Sequence, residues 1–178
     1  MRIVAGKYRH RLIEYPNDEA IRPTKDRIRE ALFSALGDLT NLNILDLYAG
    51  SGAMGIEALS RNAYKCVFVD KYQVAIKTIK NNLSNLDIHN YELIFDSDFN
   101  ALNILKEKGY KFDVVILDPP YKSETYIDVI NYLINNDLLN EHARIVTECN
   151  HPLDFSNIDC LKKKEYRYGE ISVNVLYF

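Results

Sequence analysis

The chain has little cysteine: three in 178 residues, Cys66, Cys149 and Cys160, with no close pair. That excludes a disulfide framework and suits a reducing compartment. Cys66 and Cys149 lie in apolar runs, where a thiol packs as a small hydrophobe. Histidine is also scarce, and the four residues are scattered without metal-ligand spacing. No metal is expected. No apolar run approaches the ~20 residues that a membrane span needs. Arg2, Lys7, Arg9 and Arg11 interrupt any leader-like start. The chain therefore reads as soluble and cytoplasmic. Nor is one sign of charge in excess. A formal charge of −3 excludes a coat of basic residues but leaves room for a local basic patch. What is present is 47% hydrophobic content, enough for one sizeable core.

Residues 1–15 mix bulk and charge and read as two short strands around a turn at 6–9. Their basic side chains form either a solvated hairpin or a contact surface. A loop over 16–22 leads to a helix, with Thr24 as N-cap and Gly37 as stop. Its apolar face is Ile28, Ala31, Leu32, Ala35 and Leu36, which leaves Lys25, Arg27 and Arg29 to the other face or the helix start. From residue 42, strands alternate with helices: strands 42–47, 66–69, 91–95, 113–117 and 143–148, helices 53–61, 72–86, 99–108 and 123–135. Runs such as Val114-Val-Ile-Leu117 are apolar throughout. That pattern means burial on both faces, hence a parallel sheet covered by helices. Residues 161–168 and 171–178 form a hairpin turned at Gly169. An α/β sheet closed by a C-terminal antiparallel hairpin is the layout of class I methyltransferases.

Two motifs carry chemistry. Asp46-Leu-Tyr48-Ala49-Gly50-Ser51-Gly52-Ala-Met-Gly55 joins the first strand to a helix. Its glycines permit positive φ and close approach to a ligand. The helix start offers free N–H groups, and Asp46 can hold a ligand's ammonium. Alone the turn is ambiguous, because dinucleotide sites share it. Further acids end later strands on the same rim. Asp70 stands where a ribose acid belongs. Asp98 can accept from an adenine amino group while the Phe99 N–H donates to the ring, with Asp96 as rival.

The second motif, Asp118-Pro119-Pro120-Tyr121, is the more specific. The prolines make a stiff turn with outward carbonyls and no competing donors. The Asp118 carboxylate and Pro119 carbonyl can accept both N–H bonds of an exocyclic amino group, and Tyr121 can stack on the base. Glycine turn and tetrapeptide together are the pattern of S-adenosylmethionine-dependent enzymes that methylate amino nitrogens.

Nearly end to end, the chain resembles the RsmD-type bacterial methyltransferases, which modify guanine N2 in 16S ribosomal RNA. The resemblance rests on the opening Met1–Arg9, on Arg22-Pro-Thr24 with Arg27–Phe33, on the two motifs, and on Tyr168-Gly169. It departs at His10, where a small residue, often glycine, is expected. It implies a Rossmann-like, mostly parallel seven-stranded sheet with a small N-terminal β-hairpin extension. Residues 1–22 would contact RNA and 23–178 form the methyltransferase domain. The implied cofactor is S-adenosyl-L-methionine. The implied partner is 16S rRNA in the assembled or assembling small ribosomal subunit, met by a monomer. Lys7, Arg9, Arg11, Arg22 and Thr24 would hold the RNA. Two rivals keep the fold: an adenine-N6 methyltransferase on DNA or RNA, and an inactive RNA-binding subunit. An NAD oxidoreductase leaves the tetrapeptide without a role.

Overall fold

The computed structural model describes residues 1–16, 26–120 and 125–178. The elements in order are α1 (Asp26–Leu36), β1 (Asn43–Leu47), α2 (Ala53–Ser60), β2 (Lys65–Asp70), α3 (Gln73–Asn85) and β3 (Tyr91–Phe95). There follow α4 (Asp98–Glu107), β4 (Phe112–Leu117), α5 (Tyr126–Asn135), β5 (Leu139–Cys149), β6 (Lys162–Tyr168) and β7 (Ile171–Tyr177). The seven strands form one sheet in the order β3-β2-β1-β4-β5-β7-β6. The pairs from β3 to β5 are parallel, whereas β7 runs antiparallel to β5 and to β6. Strand order reverses between β1 and β4, and that crevice is where open α/β sheets bind ligands.

Alternate residues of each central strand enter two cores. Ile44, Cys66, Phe68, Val114 and Ile116 pack on one face with Ile28 and Leu32 of α1, Ile56 of α2, and Ile79 and Leu83 of α3. Leu45, Val67, Val69, Val115 and Leu117 pack on the other with Leu102 of α4, Val129 and Ile130 of α5, and Phe155. Burial on both faces explains why these strands read as continuous apolar runs.

Three expectations need correction. The first fifteen residues do not form two strands: one isolated bridge, Arg2 to Leu12, joins the two limbs of a tight loop. The amides of Val4 and Ala5 bond instead to the Glu57 carboxylate of α2, at 2.8 and 2.9 Å. Ile3 and Ile13 are buried in the first core, so this segment packs as part of the one body. The proposed boundary after residue 22 lies outside the described residues, as does Thr24. Second, Arg29 does not face outward. It is fully buried, donates to Asp26 Oδ1 at 2.9 Å and to the Arg2 carbonyl, and lies 3.8 Å from Glu57 Oε2. Burial lowers its pKa, with Glu57 and Asp26 opposing that shift. Third, β5 starts earlier than 143, with a register shift on β4 between the Leu139 and Arg144 pairings. Its first residues, Leu-Asn-Glu-His, carry no apolar alternation.

Candidate functional site

The turn after β1 is built around two carboxylates. Asp46 lies inside β1, not at its end, and is 2% exposed. Its Oδ2 accepts the Gly55 N–H at 2.8 Å, so it holds the first turn of α2 onto the sheet. Burial pushes its pKa up to about 7, against the lowering effect of that N–H. Asp70 ends β2. Its Oδ2 accepts the Gly50 N–H at 2.8 Å, and its Oδ1 accepts the Tyr72 N–H at 2.9 Å. It therefore closes the glycine turn and also holds Tyr72, the residue just before α3. Burial raises its pKa too, with the Tyr72 and Gly50 N–H groups opposing. A carboxylate has about four lone-pair sites, so two N–H bonds leave room for ribose hydroxyls.

The glycines act in different ways. Gly52 precedes α2 at φ 77 and gives the helix no side-chain cap, and of the first-turn N–H groups that of Gly55 goes to Asp46. A Cβ there would lie 3.1 Å from Ile79 Cγ1 and 3.3 Å from its Cγ2. The space it would fill is thus on the core side, not in the ligand's volume as the motif alone suggests. At Gly55 a Cβ would fall 2.2 Å from Phe68 Cε1, so only glycine lets α2 lie this close to β2. Ala49 and Ser51 are buried, and the Ser51 carbonyl accepts from Asn82 Nδ2 at 3.0 Å.

Tyr48 reaches across the turn from a backbone at φ 76, unusual for a bulky residue. Its hydroxyl donates to Asp98 Oδ2 at 2.8 Å and lies 3.3 Å from Thr125 Oγ1, just before α5. Burial raises the phenol pKa, and Asp98 adds to that. At Asp98, Oδ1 accepts the Phe99 N–H at 2.8 Å, the donor expected to meet the adenine. Asp96 is held by the Ser97 N–H at 2.7 Å and by Asn100 at 2.9 Å. Asp98 is the acid tied to the glycine turn.

Asp118, half-buried, follows β4 directly, with Pro119 buried and Pro120 exposed. Because Leu47 pairs with Leu117, the two motifs leave adjacent strands at the same level. Tyr121 and Arg22 lie outside the described residues. Lys7, Arg9 and Arg11 are exposed on the N-terminal loop, whose tip docks on the far end of α2. There the Lys7 N–H donates to the Ser60 carbonyl at 2.8 Å and the Tyr8 N–H to Ser60 Oγ at 3.0 Å. Among the described residues, no group of side chains could hold a metal ion, and no helix is long and apolar enough to cross a membrane.

Sequence reasoning missed Thr125, Asn82 and Glu57 as supports of this site. Asn82 had a legible signal, since it is a polar residue on the face that α3 shares between Ile79 and Leu83.

A family model described as conserved hypothetical protein 95 matches residues 1–177. The chain belongs to this family. Among its relatives is a Bacillus subtilis protein named putative rRNA methyltransferase YlbH, 31% identical across 98% of this chain and 97% of that one. Ribosomal RNA small subunit methyltransferase D of Escherichia coli K12 is 34% identical across 83% of this chain and 74% of its own length. A solved structure titled putative methyltransferase yhhF from Escherichia coli superposes with a TM-score of 0.83 at 30% identity, covering 99% of this chain and 97% of that one. The resemblance drawn from the motifs holds. The fold of this family member is that of class I S-adenosylmethionine-dependent methyltransferases.

Proposed function

We propose that this chain transfers a methyl group from S-adenosyl-L-methionine to the exocyclic N2 of a guanine in 16S ribosomal RNA. The observation that carries the reading is the placement of Asp118-Pro119-Pro120 beside the glycine turn, at the point where strand order reverses. The cofactor supplies an electrophilic methyl on a sulfonium. Around it, Asp70 accepts from the ribose hydroxyls, and Gly50, Ser51 and Gly52 let the start of α2 approach the ligand. Asp98 serves the adenine better than Asp96, because Tyr48 already ties it to the cofactor turn. Asp46 acts from below the site, by holding Gly55.

A guanine amino group is a weak nucleophile, because its lone pair is delocalised into the ring. The Asp118 carboxylate and Pro119 carbonyl accept its two N–H bonds and favour tetrahedral geometry at nitrogen. Tyr121 stacks on the base. Catalysis is then mainly positioning. Relatives named for small-subunit ribosomal RNA support the substrate, and the tetrapeptide supports an amino nitrogen as acceptor. The test is mass mapping of methylated nucleotides in ribosomal RNA from cells with and without the gene. Loss of one N2-methylguanine from 16S RNA is expected. Loss of an N6-methyladenine instead, or of nothing, overturns the reading.

A further inference from the structure

The edge strand β6 carries Lys162, Lys163, Lys164 and Arg167 against a single acid, Glu165, in a chain of net charge −3. Its side chains alternate between faces. Lys164 lies over the Tyr177 ring on the side of the first core, at 5.7 Å. Lys163 and Arg167 lie on the opposite side, in a groove with His151, Glu165, Ser172 and Asn174. Lysines on an edge strand guard against pairing with another chain, whichever way they point. The groove adds geometry that such guarding does not need.

Two observations connect the groove to the catalytic turn. The first is level. Leu117 pairs with Thr147, Cys149 with Ser172, and Ser172 with Arg167. Arg167 therefore sits on the same rim as Asp118, three strand spacings away, roughly 14 Å. The second is contact. The His151 ring meets Tyr126, the first residue of α5, edge-on at 6.0 Å. Tyr126 follows the segment that continues from Asp118-Pro-Pro.

The cations are also disposed to meet an anion. Arg167 Nε donates to Glu165 Oε1 at 2.9 Å, and Ser172 Oγ donates to the same oxygen at 3.2 Å. That engages only Nε of a largely exposed guanidinium, and its terminal nitrogens make no hydrogen bond among the described residues. Lys163 Nζ stands 5.4 Å from the Phe155 ring centroid, with no ion pair among the described residues. An exposed guanidinium fork beside a lysine suits a phosphate.

We infer that this groove binds the RNA backbone a few nucleotides from the target base, so that the substrate strand runs along the rim from Asp118 over β5 and β7 to β6. The inference rests on the proposed function, since the polymer in the groove is the one whose base enters the catalytic turn. It is tested by a Lys163→Gln, Arg167→Gln double variant beside a Lys162→Gln, Lys164→Gln double variant of the same strand. Single-turnover methylation is measured across a salt series, on small subunits from cells lacking the enzyme. The groove variant should need more subunit for half-saturation. Its log–log salt slope should fall by about 1.4–1.8 for two lost phosphate contacts. Its saturating rate and cofactor affinity should stay at wild-type values, and the second variant should behave as wild type. A groove variant with wild-type half-saturation and slope, or equal effects from both pairs, overturns the inference alone. Wild-type protein that methylates no subunit overturns the proposed function and this inference with it.

Discussion

At the residue scale, Asp118 and Gly55 do different jobs, and substitution separates them. On the proposed mechanism, Asp118→Ala removes an acceptor for the amino group as it becomes tetrahedral. Methylation should fall by about 10²–10³ or more, while cofactor affinity stays within a few-fold, because Asp70 and the glycine turn remain. Single-turnover assays with calorimetry on the same variant check both halves. Gly55→Ala acts on the fold. Its Cβ would overlap Phe68 and the Cys66 Sγ, a kind of overpacking that costs about 1–3 kcal/mol. A melting temperature lower by several degrees is expected, and an unchanged one would mean that α2 can shift without cost. His10 shows why a departure from a family pattern can be read physically. It takes φ 69, a left-handed conformation that glycine adopts without strain.

At the scale of elements, the N-terminal loop and α2 form one unit. Glu57 accepts from Val4, Ala5 and Arg61, and the Ser60 hydroxyl donates to the Ala5 carbonyl. The loop tip and the glycine turn occupy opposite ends of a helix about 12 Å long. Arg9→Ala with Arg11→Ala should therefore weaken RNA binding without changing cofactor affinity. Each lost phosphate contact should lower the salt slope by about 0.7–0.9. Filter binding at several salt concentrations reads this, and an unchanged slope would make the loop's charges mere solvation. The parallel strands were legible because burial on both faces leaves unbroken apolar runs. The glycine turn and rim acids were legible because their spacing is local. The docking of the loop was not, because Glu57 meets its partners across 52 and 53 residues and leaves no periodic trace. Nor was the bond between Asp46 and Gly55, since an acid beside a glycine turn looks the same whether it faces a ligand or a helix start.

For the whole molecule, the two carboxylates Glu92 and Asp46 contribute opposite pH dependences. Glu92 is paired with Lys108, Tyr110 and Lys65, which hold its pKa at about 2 although burial opposes this. Its contribution is present above the ordinary glutamate range and is lost as pH falls towards 2. Asp46 is raised to about 7, so the folded protein binds the extra proton. Its contribution is full below the ordinary aspartate range and is lost as pH rises through 7. Between pH 5 and 8 the cofactor-free protein should lose stability as pH rises. Asp46→Asn, which keeps an acceptor for Gly55, should flatten that part of the curve. Thermal melts across the range decide it, and equal slopes would show that Asp46 titrates normally.

The anchoring of the first sixteen residues also bears on the order in which the chain is made. Synthesis delivers them before their anchors: the acceptors for the Val4 and Ala5 amides arrive only with Glu57, and those for Glu14 and Arg11 only with Asn82 and Asn85. On the ribosome this segment must wait, uncovered, until more than eighty residues have emerged. Ile3 and Ile13 are exposed throughout that interval. The basic residues between them, Lys7, Arg9 and Arg11, set charge between these two apolar side chains, as gatekeeper residues do beside a transiently exposed apolar segment.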